Sequence, residues 1–239
     1  MSAVFSDGVV RRPAGAWTPA VHALLRHFEE VGFDGAPRAL GVEDGWELLS
    51  YIEGEPSSDT DDRLLPLIGA LVRRMHDAQV GFAPPPDAAW QTMPGAVRDR
   101  DEVICHNDVL RGNVLFLGAR PVALVDWELA APGPRAVDLA AAASYWVPLR
   151  SDDDAARSGM PTDRRSERLR LLLDGYGLDL EPRAFLDLAI EVRRSWHEAY
   201  RVWGGIERRD RWAQAYDAGR CDYIAANLDW LCENRERIA

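Results

Sequence analysis

The spacing of apolar positions changes along the chain, and each change predicts an element. Val9-Val10-Arg11-Arg12-Pro13 follows the turn pair Asp7-Gly8 and ends at a proline without a ladder donor, which predicts an edge strand. Val21, Leu24, Leu25 and Phe28 then recur at helical spacing up to Gly32. With Thr18 as N-cap and Pro19 at the first helical position, they predict an amphipathic helix over 19–31. Residues 38–42 and 46–52 flank Asp44-Gly45, a strong hairpin signal, and Gly54-Glu55-Pro56 breaks the pattern.

Beyond this point the period becomes helical. Leu64, Leu67, Ile68, Leu71, Val72 and Met75 predict a buried helix over 61–79 with an acidic start. Pro84-Pro85-Pro86 and Pro94 remove backbone donors and predict an irregular connection over 82–95. Two short apolar runs, 114–117 and 122–125, are separated by Gly118-Ala119-Arg120-Pro121 and predict a second hairpin. Helical stretches follow near 136–147, 163–175, 182–203 and 211–235, with an acidic loop at Asp152-Asp153-Asp154. Strand, helix and hairpin followed by mostly helix is an α+β order. It predicts a small N-terminal lobe, residues 1–55, and a larger C-terminal lobe, residues 56–239, with the connector at 52–58.

Composition narrows the function classes. A chain of 239 residues with 47% hydrophobic content is long and apolar enough to bury a core. Its longest apolar runs, such as 139–149, are too short to span a bilayer, and no charged region followed by an apolar run opens it, so a cytoplasmic location away from membranes is expected. Cys105, Cys221 and Cys232 are scattered and lack paired ligand spacing, which predicts reduced thiols. A net charge of −11 disfavours a nucleic-acid partner and suits a cationic one. The chain contains no lysine, so any mechanism that needs one is excluded and every long cationic side chain is arginine.

The candidate chemistry lies between two apolar runs. His106-Asn107-Asp108 is followed by Asn113 five positions after the aspartate, then by the hairpin and Leu124-Val125-Asp126-Trp127-Glu128. An acceptor-side carboxylate with later amide and carboxylate oxygens, all on strand-anchored loops, suits phosphoryl transfer, which depends on positioning and charge neutralisation. This order resembles the aminoglycoside phosphotransferase family, related to choline and other small-alcohol kinases. Arg73-Arg74-Met75-His76-Asp77 and Ala131-Pro132-Gly133-Pro134-Arg135-Ala136-Val137-Asp138 are similar to further motifs of that family. The resemblance covers residues 36–150, while the later helices match only in type.

The resemblance implies a protein-kinase-like fold and transfer of the terminal phosphate of ATP or GTP to a small-molecule hydroxyl, with an amino sugar or alcohol as acceptor. It implies Asp108 as catalytic base, Asn113 and Asp126 as Mg2+ ligands, Asp138 as buried support for the loop, and Glu128 as a further metal contact. His106 and His76 are expected to brace. Arg11 or Arg12 stands where the family's phosphate-binding lysine belongs, and Ser50, Tyr51, Ile52 and Glu53 stand where the adenine is met. The helix after that strand offers Val21 and His22 where an acidic partner is sought, and only ten residues precede Arg11, so the N-terminal lobe is abbreviated. Two other readings stay open: a pseudokinase or small-molecule binding module that has lost phosphate handling, and a metal-assisted hydrolase using Asp108 and Asp126. On the acceptor side, Asp152 to Asp154, Asp229 and Glu233 are candidates to attract a cation. Trp196, Trp203, Trp212 and Trp230 are candidates for an aromatic pocket.

Overall fold

A computed structural model describes residues 4–98 and 100–239. Four antiparallel strands form the first sheet: β1 (Val4–Ser6), β2 (Val9–Pro13), β3 (Ala39–Glu43) and β4 (Trp46–Ser50). Their spatial order is β1-β2-β4-β3, so β2 is interior and not the expected edge strand. Proline is tolerated there because Pro13 closes the ladder opposite Trp46, where a missing donor breaks nothing further along. The ten residues before Arg11 provide a three-residue strand and the Asp7-Gly8 turn.

Helix α1 (Thr18–Glu30) buries Val21, Leu24, Leu25 and Phe28, the face that the spacing predicts. Trp17, not Thr18, is its cap residue, and the Thr18 hydroxyl instead accepts the Gly15 amide at 2.9 Å. Past the connector, β5 (Glu55–Pro56) joins the hairpin of β7 (Val114–Leu117) and β8 (Arg120–Leu124) in a three-stranded sheet. Arg120 and Pro121 fall in β8 rather than in the turn, accommodated by an irregularity at Leu115/Phe116. Strands β6 (Val103–Cys105) and β9 (Ala131–Gly133) form a two-stranded ribbon.

The described residues between Asp77 and Val103 form the expected irregular connection, and the other elements are helices: α2 (Leu64–Asp77), α3 (Arg135–Trp146), α4 (Asp152–Arg157), α5 (Arg165–Tyr176), α6 (Pro182–Ala199), α7 (Asp210–Asp217) and α8 (Arg220–Ile238). Two expectations are corrected here. Asp152-Asp153-Asp154 form the first turn of α4 rather than a loop, because Ser151 caps the Asp154 amide and acids favour a helix N-terminus. The stretch 211–235 is two helices, split at Gly219, whose φ of 82° ends α7 and starts α8. One apolar core runs through both lobes, from Leu24, Phe28 and Leu49 to Ile68, Trp127 and Trp146. Among the described residues no helix is long and apolar enough to cross a membrane.

Candidate active site

The loop that follows β6 is fixed by one buried carboxylate. Asp138, in the first turn of α3 and 0% exposed, accepts the His106 amide at 2.8 Å and the Asn107 amide at 2.6 Å. His76 Nε2 lies 3.0 Å from the same carboxylate, and its Nδ1 lies 2.9 Å from the Tyr176 hydroxyl. His76, Cys105 and Asp138 offer atoms within 4.8 Å of one another, but these hydrogen bonds already engage the imidazole and the carboxylate, so the group is a brace for the loop. Asn107 turns the chain at φ 65° and donates its side-chain amide to the Leu129 carbonyl at 2.9 Å. Asparagine is among the residues that adopt this conformation at least cost.

That turn brings Asp108 against Asn113. Asn113 Nδ2 donates to the Asp108 backbone carbonyl and to its Oδ2, each at 3.0 Å. Asp108 Oδ1 is buried without a hydrogen-bond partner among the described residues. Burial, with the nearby Asp126 charge second, pushes the Asp108 carboxyl up to about 7 against the opposing pull of Asn113, Arg211 and Arg220. Burial holds His106 below its ordinary value. The neutral ring donates from Nε2 to the Val125 carbonyl at 3.0 Å and accepts the Asp108 amide at Nδ1, 3.3 Å away. His106 therefore ties the Asp108 loop to the strand leading to Asp126.

The hairpin brings Asn113 and Asp126 together. Val114 faces Leu124 across the β7–β8 ladder, and the Val125 amide donates to the Asn113 carbonyl at 2.9 Å. Asp126 then adopts a left-handed φ of 67°, while the next residue, Trp127, is fully buried and stands edge-on to Phe28 at 5.4 Å. The buried indole anchors the turn, so the carboxylate projects while the backbone stays fixed.

Arg12 reaches down from β2. Its Nη1 donates to Asp126 Oδ1 and its Nε to Glu47 Oε1, leaving Nη2 buried and unpartnered among the described residues. Glu47 is 1% exposed and comes from β4, directly opposite Arg12, rather than from α1. The helix contributes His22, whose Nε2 lies 3.1 Å from Glu47 Oε2. Burial pushes the Glu47 carboxyl up, but the His22 hydrogen bond and the Arg12 charge together outweigh it and hold it below its ordinary value. Glu47 was legible in principle: it shares the inward phase of β4 with Leu49, where a charge calls for a buried partner. Arg11 faces the other way, toward Glu43 at 3.6 Å on the exposed side.

These elements enclose a cavity of about 1330 Å³. Arg12, the connector residues Ser50, Tyr51 and Ile52, and Asn113 and Asp126 line it. Neither Asp108 nor Arg11 lines it, and Glu53 borders an adjoining depression of about 370 Å³ that shares Ser50, Tyr51 and Ile52 with it. Of the opposite wall, residues 208–212 with Gln214, Trp212 alone is among the expected pocket residues. A π-helical turn, Tyr200–Ile206, precedes α7, and a side chain at Gly204 would place its Cβ 2.6 Å from the Trp212 carbonyl oxygen. Glycine there lets α7 pack close, and Arg211 in its first turn forms an ion pair with Glu128.

The expected cation-attracting acids are largely committed elsewhere. Asp152 pairs with Arg165 at 2.7 Å, and Asp154 accepts the Tyr223 hydroxyl at 2.7 Å and lies 3.3 Å from Arg150. Asp229 and Glu233 lie exposed on α8. Trp196, Trp203 and Trp212 cluster, with Trp203 4.8 Å from Trp212, whereas Trp230 stands apart beneath Arg165 at 4.7 Å.

Residues 86–186 match the phosphotransferase enzyme family. A trifolitoxin immunity protein of Rhizobium leguminosarum bv. trifolii is 39% identical over 191 residues, covering 77% of this chain and 73% of that protein. A Plasmodium vivax ethanolamine kinase shares the fold with a TM-score of 0.60 at 12% identity, over 97% of this chain and 81% of the kinase. A spectinomycin phosphotransferase gives a TM-score of 0.55 at 11% identity, over 94% and 80% of the two chains. The protein-kinase-like α+β architecture is thus shared, and the chain belongs to the phosphotransferase enzyme family that takes in the aminoglycoside phosphotransferases.

Proposed function

We propose that the chain transfers the terminal phosphate of ATP or GTP to a hydroxyl of a small molecule. The observation that carries this reading is the unpartnered, buried Oδ1 of Asp108, whose other oxygen is held by Asn113, with Asn113 and Asp126 fixed at the two ends of one hairpin and both lining the cavity. In this reading residues 1–55 form the nucleotide lobe, residues 56–239 form the catalytic and acceptor lobe, and Ser50, Tyr51 and Ile52 receive the base.

Asp108 Oδ1 accepts a hydrogen bond from the acceptor hydroxyl and takes its proton. The hydroxyl oxygen bonds to the terminal phosphorus as the bridging bond to the nucleoside diphosphate breaks, and the proton ends on Asp108. A carboxylate near pH 7 is a much better proton acceptor than an ordinary one and is still substantially ionised at neutral pH. Asn113 spends its Nδ2 on Asp108, leaving Oδ1 as its remaining polar atom, and Asp126 adds carboxylate oxygens; both are hard donors of the kind Mg2+ takes. When bound, Mg2+ supplies charge neutralisation at the phosphates.

A pseudokinase is the competing reading, favoured by the commitment of Arg12 Nη1 and Nε to Asp126 and Glu47. Thermal stability with ATP or GTP separates the two, since a ligand specific for the folded state raises the melting temperature by mass action. We expect a Mg2+-dependent rise for the wild type that Asp126→Ala abolishes. No rise with either nucleotide at millimolar concentration would refute the kinase reading. The relative named for immunity to trifolitoxin fits either reading, since a toxin is neutralised by modification or by binding.

A further inference from the structure

Phosphoryl transfer needs cations at the phosphates, and this chain has to supply them without a lysine. Arg12 is one source, but two of its three nitrogens are occupied, and only the buried Nη2 stays unpartnered among the described residues. The cavity has a second cationic wall on its far side. Arg211 lines it from the first turn of α7 and pairs with Glu128, two residues beyond Asp126. Two arginines from opposite lobes thus hold two carboxylates of the same short turn, Arg12 on Asp126 and Arg211 on Glu128.

The neighbouring arginines differ. Arg208 binds both oxygens of Asp217, at 2.8 and 2.6 Å, and Arg209 pairs with Glu207 and stacks on Trp203 at 4.7 Å. Their partners lie outside the turn that carries Asp126. Arg211 alone among these three pairs with a carboxylate that itself lines the cavity. Its side chain is 57% exposed, against 17% for Glu128, so the arginine is free to move while the acid stays fixed. A guanidinium binds phosphate oxygens in bidentate fashion, and a polyphosphate with more charge than one carboxylate competes well for it.

Resting on the nucleotide reading above, we propose that Arg211 is a phosphate clamp from the C-terminal lobe: a nucleoside polyphosphate draws it from Glu128. The Arg211–Glu128 pair is then the latched state of the empty cavity. Competition gives the two residues opposite effects on nucleotide affinity. Removing Arg211 loses a phosphate contact, whereas neutralising Glu128 frees Arg211 and removes a negative charge near the phosphates.

The test is calorimetric titration of full-length protein with ADP, AMP and adenosine in EDTA, so that only side chains of this chain meet the phosphates. Arg211→Gln is expected to weaken ADP about tenfold or more, AMP less, and adenosine not at all. Arg211→Lys is expected to restore part of the loss, and Glu128→Gln to tighten ADP several-fold. Circular dichroism and melting temperature establish that each variant is folded. Wild-type affinity for ADP in Arg211→Gln overturns the clamp while leaving the nucleotide reading standing. Equal weakening of ADP and adenosine in Arg211→Gln, or weakening of ADP in Glu128→Gln, also overturns it, because a purely structural ion pair behaves that way. A wild type that binds none of the three ligands removes the nucleotide reading and the clamp with it.

Discussion

Asp108 carries opposing demands from stability and chemistry. Its folded-state value of about 7 lies above the ordinary carboxylate range, so the native state holds a proton that the unfolded chain releases near pH 4. The resulting cost is absent below about pH 4, grows as pH rises, and is complete above about pH 7. Asp108→Asn removes that cost, and we expect it to gain about 1–3 kcal/mol at about pH 8 and nothing near pH 4, while losing phosphoryl transfer. Melting curves at the two pH values check this, and an Asn variant less stable than wild type at about pH 8 contradicts it. The same group predicts that kcat/KM rises with pH along a limb centred near 7, because only the ionised form accepts the hydroxyl proton. A limb at the ordinary carboxylate position would exclude Asp108 as that acceptor. The spacing of Asp108, Asn113 and Asp126 was legible because each sits beside the strand that fixes it. Choosing between Arg11 and Arg12 required the register of β2 on β4, which depends on contacts far apart in the chain.

At the scale of elements, the first hairpin and α1 follow their periodicity closely, since each turns one face into the core. The region from α6 to α8 does not, because its geometry is set by packing between segments rather than by local pattern. The helical spacing continues past Ala199, but the backbone widens into a π-turn where Gly204 and Gly205 meet α7. A methyl group on Gly204 would lie 2.6 Å from the Trp212 carbonyl oxygen and 2.8 Å from the Tyr216 Cβ, so α7 has to shift. Overpacking of this kind costs about 1–3 kcal/mol. Gly204→Ala is therefore expected to lower stability and, by displacing Arg211, to raise KM for the nucleotide while leaving KM for the acceptor nearly unchanged. Steady-state kinetics with each substrate varied in turn decides it. An unchanged nucleotide KM would separate the packing of α7 from nucleotide binding.

Across the whole molecule, the cavity is a meeting place of three distant stretches: β2 with the connector, the loops around the second hairpin, and the segment around α7. A continuous apolar core joins the first lobe to the second, whereas the wall around α7 rests on a smaller cluster of Trp203 and Trp212 with Met93, Leu129 and Ala199. The three walls differ in stiffness: Asp126 is held by the fully buried Trp127, whereas Arg211 extends from an eight-residue helix along an exposed edge. A nucleotide spanning the cavity therefore has most to order on the C-terminal side. Hydrogen exchange with saturating ADP is expected to slow the amides of residues 9–13, 50–56 and 204–214 together, with the largest change in the last group because local opening is easiest there. In Arg211→Gln the protection of 204–214 is expected to vanish while that of the other two segments remains. Protection confined to β2 and the connector in the wild type would show that the nucleotide is held by the first lobe alone, and that the wall carrying Arg211 serves the acceptor instead.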